Sequence, residues 1–233
     1  MNGDEKDGAP AEYASPPCFM HELDPAFAGL EMKAAPGQTD PGQASDVARW
    51  RKAERARLIE RRLALPAQDR RRHEAFIAAH LLEAMGPLEG RVVSAYWAFR
   101  GEPNLYPLLS EVIARGGRCA LPVVTARGEP LVFRSWAPGD RLDRGVWNIP
   151  IPPADAPRLV PDIVIAPVVG FDRAGYRLGY GGGFFDRTLA KLVPRPRVFG
   201  VGYSLAAIPT IYPQWHDIAM DCVITEQGLA EAG

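Results

Sequence analysis

An α/β fold is predicted, a three-layer sandwich with a mostly parallel central sheet, an antiparallel addition at one edge and helices on both faces. Three observations predict it. Strand, helix and strand signals alternate between residues 91 and 124. The same alternation returns around residues 162–203, and repeated β-α-β units place strands in parallel under a cover of helices. Between the two lies a polar insert near 125–147 with one short apolar run, Leu131 to Trp136, the pattern of an antiparallel strand added at an edge.

In chain order, residues 1–46 are an acidic tail and 47–233 a single α/β domain. The tail carries nine acidic side chains against Lys6 and Lys33, a net −7, and is rich in Pro, Gly, Ala and Asp, so an extended or disordered segment is expected. Its one apolar island, Pro16 to Leu23, is a candidate docking element for the body or a partner. Cys18 and His21 within it supply two metal-ligand types where a structural site needs four. Ser45 or Asp46 offers an N-cap for a helix over 47–63. Arg51, Arg55 and Arg62 share one face of that helix by their i, i+4, i+11 spacing; by default such a row is a solvated face.

After Leu65 and Pro66, a second helix carries Phe76, Ile77, His80, Leu81, Ala84 and Met85 at helical spacing, with His80 read as a packed residue at the core edge. Arg91 to Trp97 is β-branched and aromatic, hence a strand. A helix follows whose Leu105, Leu108, Leu109, Val112 and Ile113 face the sheet, until Gly116-Gly117 stops it and Arg118 to Val124 resumes as a strand. Asp162 to Arg173 reads as a buried strand running into a polar turn. A helix is expected from about Phe184 to Leu192, and Cys222 to Thr225 forms the last strand.

Composition narrows the function. An apolar fraction of 47% supports a substantial core. No apolar run reaches 18 residues and no charged-then-apolar segment opens the chain, so neither a membrane span nor export is expected. Cys18, Cys119 and Cys222 are odd in number and widely spaced, which fits a reducing cytoplasm rather than a disulfide framework. Residues 47–233 hold 25 basic and 19 acidic side chains, a net +6. That excess suits anionic small molecules better than nucleic acid, for which a larger one is usual. No element shows a spare apolar face, so a monomer is expected.

The run from Gly175 to Arg187 carries the chemistry. Gly179, Gly181, Gly182 and Gly183 fall within five residues, exposing backbone N–H groups with no Cβ in the way. Such a loop, with a helix beginning at its end, can approach a polyphosphate closely. Arg177 and Arg187 bracket it with positive charge, and Asp186 offers the hard oxygen that Mg²⁺ prefers. No Gly-Lys-Ser/Thr follows, so it is not a Walker A loop, and the spacing is not that of a dinucleotide fingerprint. Taken alone the run is equally a Gly-rich turn. Strand, Gly-rich loop and helix in succession is, however, the order in which α/β proteins bind phosphates at strand carboxyl ends.

Phe171 to Asp186 resembles the signature of the 5-formyltetrahydrofolate cyclo-ligase (5,10-methenyltetrahydrofolate synthetase) family, Phe-Asp-x-x-Gly-x-Arg-Leu-Gly-x-Gly-x-Gly-Tyr-Tyr-Asp. The resemblance covers roughly 47–225. Its one departure is Phe184 and Phe185 in place of the two tyrosines, which keeps ring stacking and removes any phenol hydrogen bond. It implies an ATP- and Mg²⁺-dependent enzyme acting on a reduced folate. The family's Lys-x-x-x-Arg pair on the first helix falls on Arg51 and Arg55, with Lys52 the neighbour if the register slips by one. Nucleotide contacts are thereby implied for Arg51 or Lys52, Arg55, Arg177, Leu178, Gly179, Tyr180, Gly181, Gly182, Gly183, Phe184 and Phe185. Folate contacts are implied for Arg55, Trp97, Glu102, Tyr180, the three successive glycines Gly181–Gly183, and Phe184. Trp147 to Pro152 matches a family segment and reads as a stiff pocket wall.

Asp186 and Asp217 are the metal ligands by the resemblance, whereas the sequence alone does not separate Asp217 from Asp221. Arg177 and Arg55 would carry the catalytic charge. Two other classes remain. A diverged relative that binds nucleotide or folate without turnover is kept open by the two phenylalanines and the acidic tail. A nucleic-acid module using the arginine helix would show steeply salt-dependent binding and no need of the glycine loop. His216-Asp217 as a hydrolytic dyad lacks a Gly-x-Ser-x-Gly nucleophile elbow.

Overall fold

The computed structural model describes residues 41–230. The expectations for residues 1–40, including the Pro16–Leu23 island and the Cys18–His21 pair, lie outside the described residues. Helix α1 spans Pro41–Leu63 and α2 spans Ala67–Met85, separated by a short break that ends at Pro66. Helix α1 therefore starts before Ser45 and Asp46. Proline is well placed in a first helical turn because its missing N–H has no partner there anyway, and Asp46 pairs within the helix with Arg49.

Seven strands make the main sheet: β1 (Val92–Ser94), β2 (Arg118–Val123), β3 (Val132–Ser135), β6 (Ile163–Pro167), β9 (Arg197–Val201), β10 (Cys222–Thr225) and β11 (Gly228–Ala230), while β4 (Asp143–Arg144) and β5 (Pro150–Ile151) pair antiparallel with each other outside it. Their order is β11-β10-β9-β6-β1-β2-β3. The five central strands are parallel, and β3 and β11 close the two edges antiparallel. The β3 edge was predicted. The β11 edge was not, because Gly228 to Ala230 is too short to carry a period. The strand expected over 91–97 is shorter, spanning only Val92–Ser94; the Ala95 amide makes its last bond, to the Ala120 carbonyl at 3.2 Å, and the chain then leaves the sheet toward the site.

Strand residues alternate between two cores, as the pleat requires. Val93, Leu121, Ile163, Ile165, Phe199 and Ile224 face one side, where Ile77 and Leu81 of α2 and Leu108 and Val112 of α3 (Tyr106–Ala114) pack on them. Val92, Ala120, Val164, Val198 and Val223 face the other, covered by Leu189 of α4 (Phe184–Lys191). Helices thus cover both faces. Phe76 and Ile113, expected on the buried stripes, are 50% and 37% exposed; each sits at the margin of its stripe, one position beyond what the sheet covers. His80 lies at the core edge as expected, with Nδ1 3.2 Å from the Thr225 carbonyl oxygen.

Helix α1 belongs to neither layer. Its Leu58 and Ile59 pack with Val169, Leu178, Ile208 and Ile211 over the carboxyl ends of the strands. The chain runs outward from β1 to β2 and β3, then returns to β6 on the opposite side of β1. Strand order therefore reverses between β1 and β6, and the crevice above that pair is where open α/β sheets bind ligands.

Candidate active site

Two segments rise from the switch point. From β6 the chain enters a small hairpin of β7 (Gly170–Phe171) and β8 (Arg177–Leu178), where the sequence predicts a strand ending in a polar turn and then the glycine run. Asp172 organises it from a buried position by accepting the amide N–H groups of Ala174, Tyr176 and Ile211. The glycine loop follows β8 and ends at Gly183, which caps α4 in the left-handed region at φ 61°. Gly181 also has positive φ, 99°, a conformation open to glycine at no steric cost.

Arginines gather around this loop. Arg55 donates from Nε to the Gly179 carbonyl at 2.7 Å. Arg187 donates to the Gly182 carbonyl and lies 5.3 Å from the Phe184 ring centre. Arg51 donates to the Ile211 and Tyr212 carbonyls at 2.9 and 2.8 Å and pairs through both Nη atoms with Asp217, at 3.3 and 2.5 Å. Arg177, buried, has Nη2 2.9 Å from Asp186 Oδ1. That contact is an ion pair whose N–H is not aimed at the oxygen. Asp186 Oδ1 also accepts the Ile218 amide at 3.1 Å. Burial lowers the pKa of Arg55 to about 10, with the like charge of Arg51 adding to it and Asp217 opposing; Arg55 stays cationic at neutral pH.

Across the crevice, the turn after β1 carries Glu102. Its Oε2 accepts the Phe99 amide at 2.9 Å, while Oε1 is buried with no partner. Phe99 lies parallel to Trp147, with centroids 6.3 Å apart, and tilted against Tyr180. Trp147 and Asn148 both have positive φ, 56° and 59°.

A family model described as the 5-formyltetrahydrofolate cyclo-ligase family matches residues 47–226. The chain belongs to the 5-formyltetrahydrofolate cyclo-ligase family. It is thus a member of a ligase family of enzymes. A Mycolicibacterium smegmatis 5-formyltetrahydrofolate cyclo-ligase is 33% identical over 145 residues, covering 59% of this chain and 75% of the relative. The Escherichia coli K12 cyclo-ligase is 27% identical over 174 residues, covering 72% and 96%. Among solved structures, Aquifex aeolicus 5,10-methenyltetrahydrofolate synthetase is 26% identical with a TM-score of 0.67, covering 78% of this chain and 92% of the other.

Within this cyclo-ligase fold, the residues expected from the sequence divide into two groups. Arg51, Arg55, Arg177, Gly179 to Phe184, Asp186 and Asp217 lie around one loop. Lys52 is exposed on α1 and turned away, so the inward position belongs to Arg51. Leu178 is packed among Leu58, Ile208 and Ile211, and the Phe185 ring packs on the α4 core beside Arg177. Both serve the scaffold with their side chains. Trp97 turns edge-on to Trp136, with centroids 5.9 Å apart. Asp221 Oδ2 accepts the Val198 amide at the start of β9, the end of the parallel sheet opposite the site. Asp217, and not Asp221, therefore stands with Asp186 among the arginines beside the glycine loop.

Among the described residues, no three His, Cys, Asp or Glu side chains cluster as a metal cage. Asp186 Oδ1 and both oxygens of Asp217 are already engaged by arginine and amide donors, so a cation between these two carboxylates would take its remaining ligands from phosphate and water. A cavity of about 470 Å³ behind the hairpin, bordered by Gly175, Ile208 and Met220, is separate from this crevice. No described helix is long and apolar enough to cross a membrane.

The environment of Glu102 yields a pH prediction. Burial raises its pKa from 4.5 to about 7, against the lowering effects of Arg62, the Phe99 amide and Tyr180. The folded state then holds this proton more tightly than the unfolded chain. The proton's contribution to stability is complete below pH 4.5 and lost as pH rises to about 7. Glu102→Gln cannot titrate, so the Tm difference between variant and wild type is expected to drift in favour of the variant from pH 4.5 to 7. A pH-independent difference would show that Glu102 is not a buried titrating acid.

Proposed function

We propose that the chain converts 5-formyltetrahydrofolate to 5,10-methenyltetrahydrofolate with ATP as phosphoryl donor and Mg²⁺ as the required ion, releasing ADP and phosphate. The observation that carries this reading is the convergence of Arg55 and Arg187 on the glycine loop, with Arg51 and Arg177 paired to Asp217 and Asp186 beside it, opposite a buried Glu102 oxygen with no partner. The first half suits a polyphosphate and the second a heterocycle with N–H donors. The relatives' cyclo-ligase names supply the substrate class.

The formyl group on N5 is amide-like and its oxygen is a poor leaving group. Transfer of the γ-phosphoryl group to that oxygen, with ADP departing, makes it a phosphate ester. N10 attacks the formyl carbon, the C–O bond breaks, phosphate leaves with its electron pair, and N10 loses its proton as the methenyl bridge forms. This chemistry asks the protein for positioning and charge neutralisation rather than a covalent nucleophile. The amides of Gly181 to Gly183 and the guanidinium groups of Arg55 and Arg177 would bind the phosphates. Asp186 and Asp217 would hold Mg²⁺, whose charge neutralises phosphate oxygens. Glu102 would pair with the pteridine N–H groups, and Phe99, Trp147 and Phe184 would supply apolar surface beside the substrate.

The test follows methenyl absorbance and ADP release together, with 5-formyltetrahydrofolate, ATP and Mg²⁺. Matched product and ADP, lost without Mg²⁺ and in Asp186→Ala, are the expected result. Folded protein that binds ATP but forms no methenyl product would point instead to the diverged relative.

A further inference from the structure

We propose that Arg62 is a positioning residue of this site: its guanidinium ties the glycine loop to the turn that carries Glu102, and so determines how tightly the folate is gripped. The inference rests on the reading above and deepens it. Arg62 is 4% exposed, near the end of α1, seven residues beyond Arg55 and on the same face. Its three nitrogens reach three different segments. Nε donates to the Arg100 carbonyl at 3.0 Å, Nη1 to the Val168 carbonyl at 3.4 Å, and Nη2 to the Tyr180 hydroxyl at 2.6 Å. Arg100 belongs to the turn after β1, Val168 to the end of β6, and Tyr180 to the glycine loop. One side chain therefore spans both walls of the crevice at the point where strand order reverses.

The turn needs such a tie. Arg100 and Gly101 are consecutive left-handed residues, at φ 48° and 74°. A non-glycine residue there is strained and persists only where its surroundings over-determine it. The bond from Arg62 Nε falls on the carbonyl of that strained residue. A Cβ on Gly101 would lie 3.2 Å from Leu63 Cδ2 and 3.8 Å from Arg62 Cγ, so the end of α1 closes directly on the turn. Glu102 comes next, and its geometry follows from the same turn: its amide donates to the Phe99 carbonyl and its Oε2 accepts from the Phe99 amide. Arg62 also places a positive charge near this carboxylate, the foremost influence opposing its burial. Among side chains, arginine alone offers several donors in a fixed fork, so lysine keeps the charge and loses the tie.

The experiment compares wild type, Arg62→Met, Arg62→Lys and Tyr180→Phe by steady-state kinetics with 5-formyltetrahydrofolate and by amide hydrogen exchange. For Arg62→Met, KM for the folate is expected to rise about tenfold with kcat changed less than about threefold, the signature of lost ground-state binding. Exchange is expected to quicken in 97–102 and 176–183 but not in the α2 core. Arg62→Lys is expected to loosen the same peptides with a smaller rise in KM. Tyr180→Phe is expected to loosen 176–183 alone. Unchanged KM with unchanged loop exchange in Arg62→Met would overturn the proposal, as would exchange quickened throughout the molecule with KM unaltered. Should Arg62→Met fail to fold, Tyr180→Phe decides: a looser loop and a higher KM support the tie, and neither overturns it. If wild type makes no methenyl product, the cyclo-ligase reading fails on its own, and the exchange pattern still decides whether Arg62 holds the two walls together.

Discussion

Arg177→Met is expected to lower stability by ~3–5 kcal/mol and to reduce turnover at least ~100-fold, because it leaves a partly buried carboxylate without its cation. The Arg177 side chain is 3% exposed and that of Asp186 is 19% exposed. Burial lowers the pKa of Arg177, and the nearby charges of Asp186 and Asp217 work against that lowering. Without the guanidinium, Asp186 keeps the Ile218 amide at 3.1 Å as its hydrogen-bond donor. The Ile218 carbonyl, 3.3 Å from Arg177 Nη1, loses its donor as well. Two segments far apart in the chain, β8 and the stretch before β10, would then lose the side-chain tie between them. Urea unfolding gives the stability term and the coupled methenyl–ADP assay gives the rate. A stability loss below ~1 kcal/mol would mean that water already solvates the pair and that the Arg177–Asp186 contact does not hold the site.

Gly181→Val is expected to weaken ATP binding about 100-fold, with a fall in Tm of a few degrees from backbone strain. Valine at φ 99° is strained by its β-branch, at a cost of ~1–3 kcal/mol. The loop can relieve that strain only by changing shape. The new Cβ would also stand 3.4 Å from Arg55 Cζ, pressing on the guanidinium that holds the Gly179 carbonyl. Gly179→Ala is the control, since a Cβ there meets nothing within 4 Å and its φ is not positive. Titration calorimetry with ATP measures both. Equal affinities for wild type and Gly181→Val would remove the loop from nucleotide binding. Undiminished ATP affinity combined with salt-dependent RNA binding would favour the arginine-helix alternative instead.

Much of this was legible in the chain. Strand runs such as Ile163–Pro167 and Arg197–Val201 are apolar on both faces because helices cover both, and a run of that kind announces its own position in a parallel sheet. The glycine loop was legible because its four glycines in five residues stand between a strand signal and a helix signal, the order in which α/β proteins bind phosphates. The face shared by Arg51, Arg55 and Arg62 was legible from spacing, although the default reading of that face as solvated is reversed in the structure: Arg51 and Arg62 are buried. Spacing states which side chains share a face and is silent on what that face meets.

Several features were not legible, each for a physical reason. The β7–β8 hairpin consists of two-residue strands, too short to show a period of two. Strand β11 is paired by its neighbour β10 rather than by its own propensity. Asp217 and Asp221 are identical by residue type and differ only in surroundings: one meets Arg51, the other caps a strand start.

By itself, then, the sequence determined the α/β class, the glycine loop and the arginine stripe, since these follow from local periodicity and from what glycine alone permits. The tertiary structure alone decided that β1 and β6 flank the reversal of strand order. It alone brought Arg51 to Asp217 across 166 positions and Arg62 to Tyr180 across 118, and left one Glu102 oxygen buried without a partner. Pairings at such separations depend on how the layers stack, and no window of residues contains them.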